Sequence, residues 1–402
     1  MKRVYFDNSA TTQTHEEVAK IMVEYMTEKY GNPSSIHSFG REAHKAVEEA
    51  RAQVATLLGA NPNEIFFTSG GTEADNLAIK GVALANRKKG NHIITTAIEH
   101  HAVLHSCEFL EKEGFVVTYL PVDENAMVSL EDVRKAITDQ TILISVMYAN
   151  NEVGTMQPIR EIGQLAKEKG IYFHTDAVQA VGSYPVNVND DHIDLLSLSG
   201  HKFNGPKGIG ALYVRRGVRI GSIQKGGSQE RGMRAGTENV PGIIGLGKAS
   251  ELAGAEMDEK IKKLTGLREK LIEGIIAKIP DVKLNGHRTA RLPGNVNFSF
   301  LYVEGESLLL NLDLKGVAAS SGSACTSGSL DPSHVLLAMG LTHEVAHGSL
   351  RLSLGRNNTE ADADYCLEVL PGILERLRSM SPLYASYAAS ASNPCSQCQR
   401  HG

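Results

Sequence analysis

Several things are scarce in this chain, and each scarcity narrows what it can be. Five cysteines in 402 residues, odd in number and widely scattered, do not form a disulfide framework, so each is read as a reduced thiol. No charge of one sign dominates. The 41 basic residues against 46 acidic ones leave −5, which removes the basic field expected of a protein that binds nucleic acid or acidic lipid. No apolar run is long enough to cross a bilayer, and Met1-Lys2-Arg3-Val4-Tyr5-Phe6-Asp7-Asn8 turns polar before a signal-peptide core forms. The expected location is therefore cytoplasmic, with no membrane partner and no nucleic acid. Internal repeats are lacking too. What is present is an ordinary globular composition, 42% hydrophobic and 22% charged, at a length that suits about two domains.

Apolar runs of strand length alternate with helical patterns. Strands are expected at 65–68, 92–96, 116–119, 142–146, 171–174, 194–198 and 210–214, with amphipathic helices at 73–87, 102–113 and 159–168 between them. This alternation predicts an α/β fold with a mainly parallel sheet covered by helices, whose ligands gather at the strand carboxyl ends. A long helical stretch over 240–278, interrupted by Gly254 and Gly266, leads to shorter elements ending near residue 380. Residues 383–402 are rich in Ser and Ala without an apolar period, which reads as a disordered tail.

Polar residues cluster where the strands end. After 194–198 comes Ser199-Gly200-His201-Lys202-Phe203-Asn204-Gly205-Pro206. A lysine at the end of a buried strand can lose its proton and condense with a carbonyl as a Schiff base, or it can be a solvated residue at a strand-loop junction. The turn Thr68-Ser69-Gly70-Gly71-Thr72-Glu73-Ala74-Asp75 offers backbone amides, a helix start and the Ser69 and Thr72 hydroxyls to a monophosphate, or is simply a capped helix. It lacks the glycine spacing of dinucleotide and triphosphate loops. His100, in Glu99-His100-His101, can stack on a flat cofactor and exchange protons, or cap the following helix. The adjacent histidines diverge and no metal site is expected. Asn151, in Asn150-Asn151-Glu152-Val153-Gly154, can address a phenolic oxygen or serve the turn. Asp176, in His174-Thr175-Asp176-Ala177-Val178-Gln179, can keep a pyridine nitrogen protonated or cap a helix, and Gln179 follows one helical turn later.

Taken in order, Ser-Gly-Gly-Thr, Glu-His-His, Asn-Asn-Glu-Val-Gly, His-Thr-Asp-Ala-Val-Gln and Ser-Gly-His-Lys resemble the pyridoxal 5'-phosphate (PLP) dependent enzymes of fold type I. Within that aminotransferase superfamily, class V, they resemble the cysteine desulfurases of iron-sulfur cluster and nitrogen-fixation systems. The likeness runs from residue 4 to 382 and includes Tyr5-Phe6-Asp7-Asn8-Ser9-Ala10-Thr11-Thr12, Tyr30-Gly31-Asn32-Pro33-Ser34-Ser35 and Arg234-Ala235-Gly236-Thr237-Glu238-Asn239. It implies a large PLP-binding domain over 14–257 with a seven-stranded sheet, and a smaller α+β domain formed by 1–13 and 258–382. It implies that Lys202 anchors the cofactor, Asp176 pairs with the ring nitrogen and His100 stacks on the ring. Gln179 and Asn151 then address the ring oxygen side, and Gly71, Thr72, Ser199 and His201 hold the phosphate. Thr237 would reach the phosphate of a neighbouring subunit in a homodimer. Arg351, in Ser349-Leu350-Arg351-Leu352-Ser353, would grip the substrate carboxylate with Asn151 nearby; without the resemblance it reads as a surface arginine on a strand.

A second nucleophile separates a desulfurase from an aminotransferase. Cys325 lies among small residues, Ser320-Ser321-Gly322-Ser323-Ala324-Cys325-Thr326-Ser327-Gly328, a setting that suits a thiol on an exposed loop better than a packed one. With Lys202 and His100 it completes the expected catalytic set. The function implied is conversion of L-cysteine to L-alanine, with the sulfur carried as a persulfide on Cys325 to an acceptor or iron-sulfur scaffold protein. A selenocysteine lyase or another PLP-dependent transferase is the alternative. Cys107 and Cys366 lie in helical patterns and read as packing residues, and Cys395 and Cys398 form a lone CxxC without the second half of a zinc site.

Overall fold

The computed structural model describes residues 2–321, 332–382 and 384. Cys325, Cys395 and Cys398 lie outside the described residues, as does nearly all of the tail at 383–402. The strands are β1 Val4–Tyr5, β2 Ile65–Thr68, β3 His92–Thr96, β4 Val116–Leu120, β5 Thr141–Ser145, β6 Tyr172–Asp176, β7 Leu195–Ser199, β8 Gly210–Val214, β9 Val282–Leu284, β10 Asn295–Phe300, β11 Val317–Ala318 and β12 Ser349–Ser353. The helices are α1 Glu16–Thr27, α2 Ser38–Leu58, α3 Gly71–Asn86, α4 His101–Lys112, α5 Leu130–Ala136, α6 Ile159–Lys169, α7 Val240–Lys278, α8 Gly305–Leu314, α9 His334–Ala338, α10 His343–His347 and α11 Glu360–Ser379.

Seven strands form one sheet in the order β2-β8-β7-β6-β5-β3-β4. All neighbours are parallel except where β8 runs between β7 and β2. The reason is local: only residues 200–209 join β7 to β8, too few for the crossover a parallel pair needs. Each of the seven strand segments read from the sequence falls within a residue or two of its strand here. The central strands β3, β5, β7 and β8 are buried throughout, as strands covered on both faces must be. One face packs on α2 and the first half of α7 through Val47, Val54, Leu196, Leu198, Ile243 and Leu246. The other packs on α3 and α4 through Leu77, Val82, Val103, Leu110 and Leu212. Cys107 sits in this second layer and Cys366 in the core of the smaller sheet. Burial pushes both thiols up to about 12, which makes them inert packing residues.

The smaller sheet, β12-β10-β9, is antiparallel, and β1 pairs with β11 beside it. Its core gathers Phe298, Phe300, Leu350 and Leu352 against Leu271 and Ile275 of α7 and Leu370 of α11. Helix α7 therefore serves both cores. It runs unbroken for 39 residues, so the interruption expected at Gly254 and Gly266 does not occur. Each glycine costs a helix about 1 kcal/mol, and burying a Leu or Ile side chain returns roughly 1.5–3 kcal/mol. The many aliphatic residues of α7 decide the outcome.

Candidate functional site

The carboxyl ends of β3, β5, β6 and β7 open onto a cavity of ≈ 350 Å³. After β7 the chain makes a single 3-10 turn, Gly200–Lys202, closed by the amides of Phe203 and Gly205 on the Gly200 carbonyl. The turn projects Lys202 back over the strand end. Its Nζ donates to the backbone carbonyls of Ser9 and Ala10, the latter at 3.0 Å. The N-terminal segment is thus part of the site, and it is pinned there by Thr12, whose hydroxyl donates to the His201 carbonyl at 2.8 Å and accepts from the Asn204 amide at 2.8 Å.

Between β2 and α3 the chain turns at Gly70, with φ +154°, and α3 begins at Gly71. Gly71, Thr72 and Ser199 line the cavity beside His201. A helix N-terminus with two hydroxyls is a ready anion site. Ser69, expected as a further donor through its hydroxyl, is exposed and does not line the cavity; its amide donates to Glu73 Oε2 at 2.8 Å, and Glu73 is in turn paired with Arg234 at 2.8 Å. His201 is depressed to about 4 by burial and by the charges of Lys202 and Lys207, so its ring is neutral at ordinary pH.

His100 caps α4, and its side chain also lines the cavity. The cap is made by Nδ1, which accepts the Ala102 amide at 3.1 Å. Because Nδ1 is an acceptor in that cap, Nε2 is the ring nitrogen that carries a proton. His101 diverges and packs instead against His105 and His334, with ring centroids 5.1 and 4.8 Å away. At the end of β6, Asp176 is buried and accepts the Val178 amide at 2.9 Å. Burial raises its carboxyl, while the positive charges of His100 and Lys202 pull it back down. Gln179 lines the same wall, its amide donating to the Ser9 carbonyl at 3.0 Å.

The Asn-rich turn divides its work between neighbours. Asn150 is fully buried and structural, its Oδ1 accepting the amides of Glu152 and Val153 and its Nδ2 donating to Ile98. Asn151 faces the cavity. Arg351, in the middle of β12, is buried, and the surface placement expected without the family likeness is overturned. Its Nη2 meets Asp7 Oδ1 at 3.0 Å and its Nη1 donates to the Asn151 carbonyl at 3.0 Å, while Nε has no hydrogen-bond partner among the described residues. A buried guanidinium tied at one edge has the rest of its fork to offer a carboxylate.

The cavity therefore brings together Gly71, Thr72, His100, Asn151, Asp176, Gln179, Ser199, His201, Lys202 and Arg351. Thr237 is exposed and is not part of this lining. Sequence reasoning overlooked Ser9, Ala10, Asp7 and Asp75. The first three come from a segment whose motif was recognised but given no role. Asp75 carried a signal, since it falls three residues after Thr72 and so shares its helix face. A larger cleft of ≈ 1190 Å³ lies between α2, α7 and the loops around Tyr148 and Tyr184, but none of the expected site residues line it.

These residues fit PLP. The cavity is of ligand size, it has a helix N-terminus for a phosphate, a buried carboxylate for a pyridine nitrogen and a lysine in reach, and Asp75 Oδ1 and Arg351 Nε are buried in its wall without hydrogen-bond partners among the described residues. Residues 4–366 match the family model described as Aminotransferase class-V. The chain is 63% identical over 388 residues to "Cysteine desulfurase IscS" of Clostridium botulinum (strain Hall), covering 96% of this chain and 98% of that one. It is 63% identical over 382 residues to the protein of the same name from Methanosarcina thermophila, covering 95% and 94%. A solved structure titled "NIFS-LIKE PROTEIN" superposes with a TM-score of 0.88 at 42% identity, over 94% of this chain and all of the other.

Proposed function

Because the chain belongs to the class-V aminotransferase family and is a PLP-dependent cysteine desulfurase, we propose that the cavity at the end of β7 is its active site, with Lys202, His100 and Cys325 as the catalytic residues. The convergence of Lys202, Asp176, His100 and Arg351 on one cavity carries this reading. PLP, when bound there, supplies an electron sink for the negative charge that develops at the substrate α-carbon. Lys202 would anchor it. Gly71, Thr72, Ser199 and His201 would hold the phosphate at the start of α3. Asp176 would keep a proton on the ring nitrogen, His100 would stack on the ring, and Asn151 and Gln179 would address its oxygen side.

Arg351 grips the substrate carboxylate and so orients the α-hydrogen toward Lys202 Nζ, which removes it. The Cys325 thiolate then attacks the substrate sulfur: a sulfur-sulfur bond forms and the carbon-sulfur bond breaks with its electron pair left on the carbon skeleton, which takes up one proton at the β-carbon and regains one at the α-carbon to leave as alanine. His100, with its proton on Nε2, is placed to serve as a proton donor. Met147, Ala149 and Val178 supply apolar parts of the cavity wall.

The sulfur passes to an acceptor protein, and the relatives' name favours iron-sulfur cluster assembly. A homodimer is supported by exposed apolar side chains at Val23, Met26, Tyr30, Ile36 and Phe39, with Ile36 91% exposed. Thr237 is exposed, as a residue that reaches the phosphate of a second subunit would be in the free chain. The test is incubation of the PLP-loaded protein with L-cysteine, following alanine release and protein persulfide. Cys325→Ala should lose the persulfide on that residue while retaining the cofactor's visible band, and a persulfide that forms unchanged in this variant would overturn the assignment.

A further inference from the structure

The described residues on either side of Cys325 are both tied down next to residues that line the active-site cavity. Upstream, Ser320 forms a two-way backbone bridge with Arg351: the Arg351 amide donates to the Ser320 carbonyl at 2.6 Å, and the Ser320 amide donates to the Arg351 carbonyl at 3.2 Å. Downstream, Ser333 is buried, and its hydroxyl has two partners. It accepts the Leu336 amide at 3.2 Å, which caps α9, and it donates to Glu152 Oε2. Glu152 is also buried and is held on its backbone: its amide donates to Asn150 Oδ1 at 2.9 Å, and its carbonyl accepts from the side-chain amides of Asn295 and Asn297 at 3.1 and 3.0 Å. It directly follows Asn151, whose own carbonyl accepts from Arg351 Nη1. The proposed reaction gives Glu152 no part, yet a carboxyl group is costly to bury without a hydrogen bond, and the donor it is given lies 181 residues away.

We infer that Glu152 is a positioning residue for the sulfur-transfer step: by holding Ser333 beside the Asn151 turn, it fixes the downstream end of the chain segment that carries Cys325. This rests on the proposed role of Cys325. An extended chain spans at most ~18 Å from Ser320 to Cys325 and ~29 Å from Cys325 to Ser333. The upstream tie alone leaves the thiol every direction within its reach, including those away from the substrate. A second tie at the same cavity restricts it to the region both ends can reach, which raises its effective concentration at the substrate sulfur. The contact can be removed without removing the helix that follows. Val335 and Leu336 of α9 pack with Ile98, Met147 and Val153, and His334 Nε2 lies 3.0 Å from the Glu99 carbonyl. Loss of the Glu152 contact therefore loosens the end of the segment and leaves α9 its apolar seat.

The experiment is a single turnover of PLP-loaded protein with saturating L-cysteine, following the cofactor's visible band and, in quenched samples, the persulfide on Cys325. In Glu152→Ala and in Ser333→Ala the band should respond to cysteine at the parent rate. Persulfide formation should slow by at least about 3-fold and at most ~150-fold, the upper bound being the worth of one hydrogen bond to a charged group. The double variant should be no slower than the slower single one, because both substitutions remove the same contact. Persulfide formation within about 3-fold of the parent in either single variant, a band response slowed as much as the persulfide, or losses that multiply in the double variant each overturn the inference. Should Glu152→Ala not fold, Ser333→Ala decides by the first two criteria. A readout without cofactor is hydrogen exchange at the α9 amides of the apoprotein, which should quicken in Glu152→Ala although the Ser333 cap is intact; unchanged exchange there also overturns the inference. Cys325→Ala tests the reading beneath it separately: persulfide lost in that variant but formed at the parent rate in Ser333→Ala sinks the inference and leaves the catalytic cysteine standing.

Discussion

Replacing Arg351 by lysine tests the substrate site most directly. The guanidinium uses Nη2 on Asp7 and Nη1 on the Asn151 carbonyl, both at 3.0 Å, and leaves buried Nε and the remaining Nη protons for a ligand. A lysine keeps the charge and can still pair with Asp7, but its single ammonium cannot reach Asp7, Asn151 and a substrate carboxylate together. The expected loss is one charge-assisted hydrogen bond, about 1.5–3 kcal/mol. At about 1.4 kcal/mol per decade this is roughly a 10- to 150-fold fall in kcat/KM. The carboxylate does not change during the reaction, so the loss should fall mainly on KM. Alanine formation measured across cysteine concentrations separates the two parameters, and the cofactor's visible band should be unchanged. An unaltered KM in Arg351→Lys would refute the assignment, whatever happened to kcat.

Three further expectations follow from the packing and the titrating groups. Arg51 and Glu230 form a buried bidentate pair, 2.8 and 2.9 Å, with side chains only 4% and 2% exposed. Glu230→Ala removes the guanidinium's buried partner, leaving it the more exposed Glu48 carboxylate at 3.0 Å and the Ile65 carbonyl, and should cost up to roughly 3–5 kcal/mol in urea unfolding, whereas replacing both buried partners by apolar residues should cost much less. Gly210 leaves no room for a side chain: a Cβ there would lie 2.5 Å from the Leu198 carbonyl oxygen and 2.8 Å from Gly70 Cα. Gly210→Ala should shift the phosphate turn and weaken PLP affinity, measured by cofactor titration, with a stability cost of about 1–3 kcal/mol. Finally, His174 and His201, at about 3 and about 4 in the fold against 6.5 ordinarily, stay neutral where the unfolded chain takes up protons. The contribution of these two histidines to apoprotein stability should therefore be full above pH 6.5 and decline as pH falls toward 4, and His201→Asn should flatten that decline.

The seven strands of the large sheet were legible because each is a short apolar run bounded by turn residues, a pattern that survives any tertiary context. So were the residues at their ends, since a parallel sheet sends successive loops to one edge. Local reasoning failed where partners are distant in sequence. Arg351 reads as exposed because nothing near it is acidic, and its partner Asp7 lies 344 residues away. Ser9 and Ala10 contribute backbone carbonyls to Lys202, and a carbonyl has no sequence signature. Gly254 and Gly266 read as breaks because propensity is a local quantity, whereas α7 is held by two cores at once. Asp75 was visible as a residue type on the face of α3 that carries Thr72, but that it shares a cavity wall with Asp176, a hundred residues on, shows only in the folded chain.

The continuity of α7 makes its length a ruler. Val240 to Ala253 is seated in the large core and Leu264 to Ile275 in the small one, with no break in which to absorb an error between them. One residue added in that interval would advance the second half by ~1.5 Å and rotate it by ~100°. Its leucines would then point away from the sheet that bears Arg351, and the arginine would no longer line up with a lysine placed by the other core. Insertions between other elements change a loop, but an insertion here would change the distance and angle between the group that holds the substrate and the group that takes its proton.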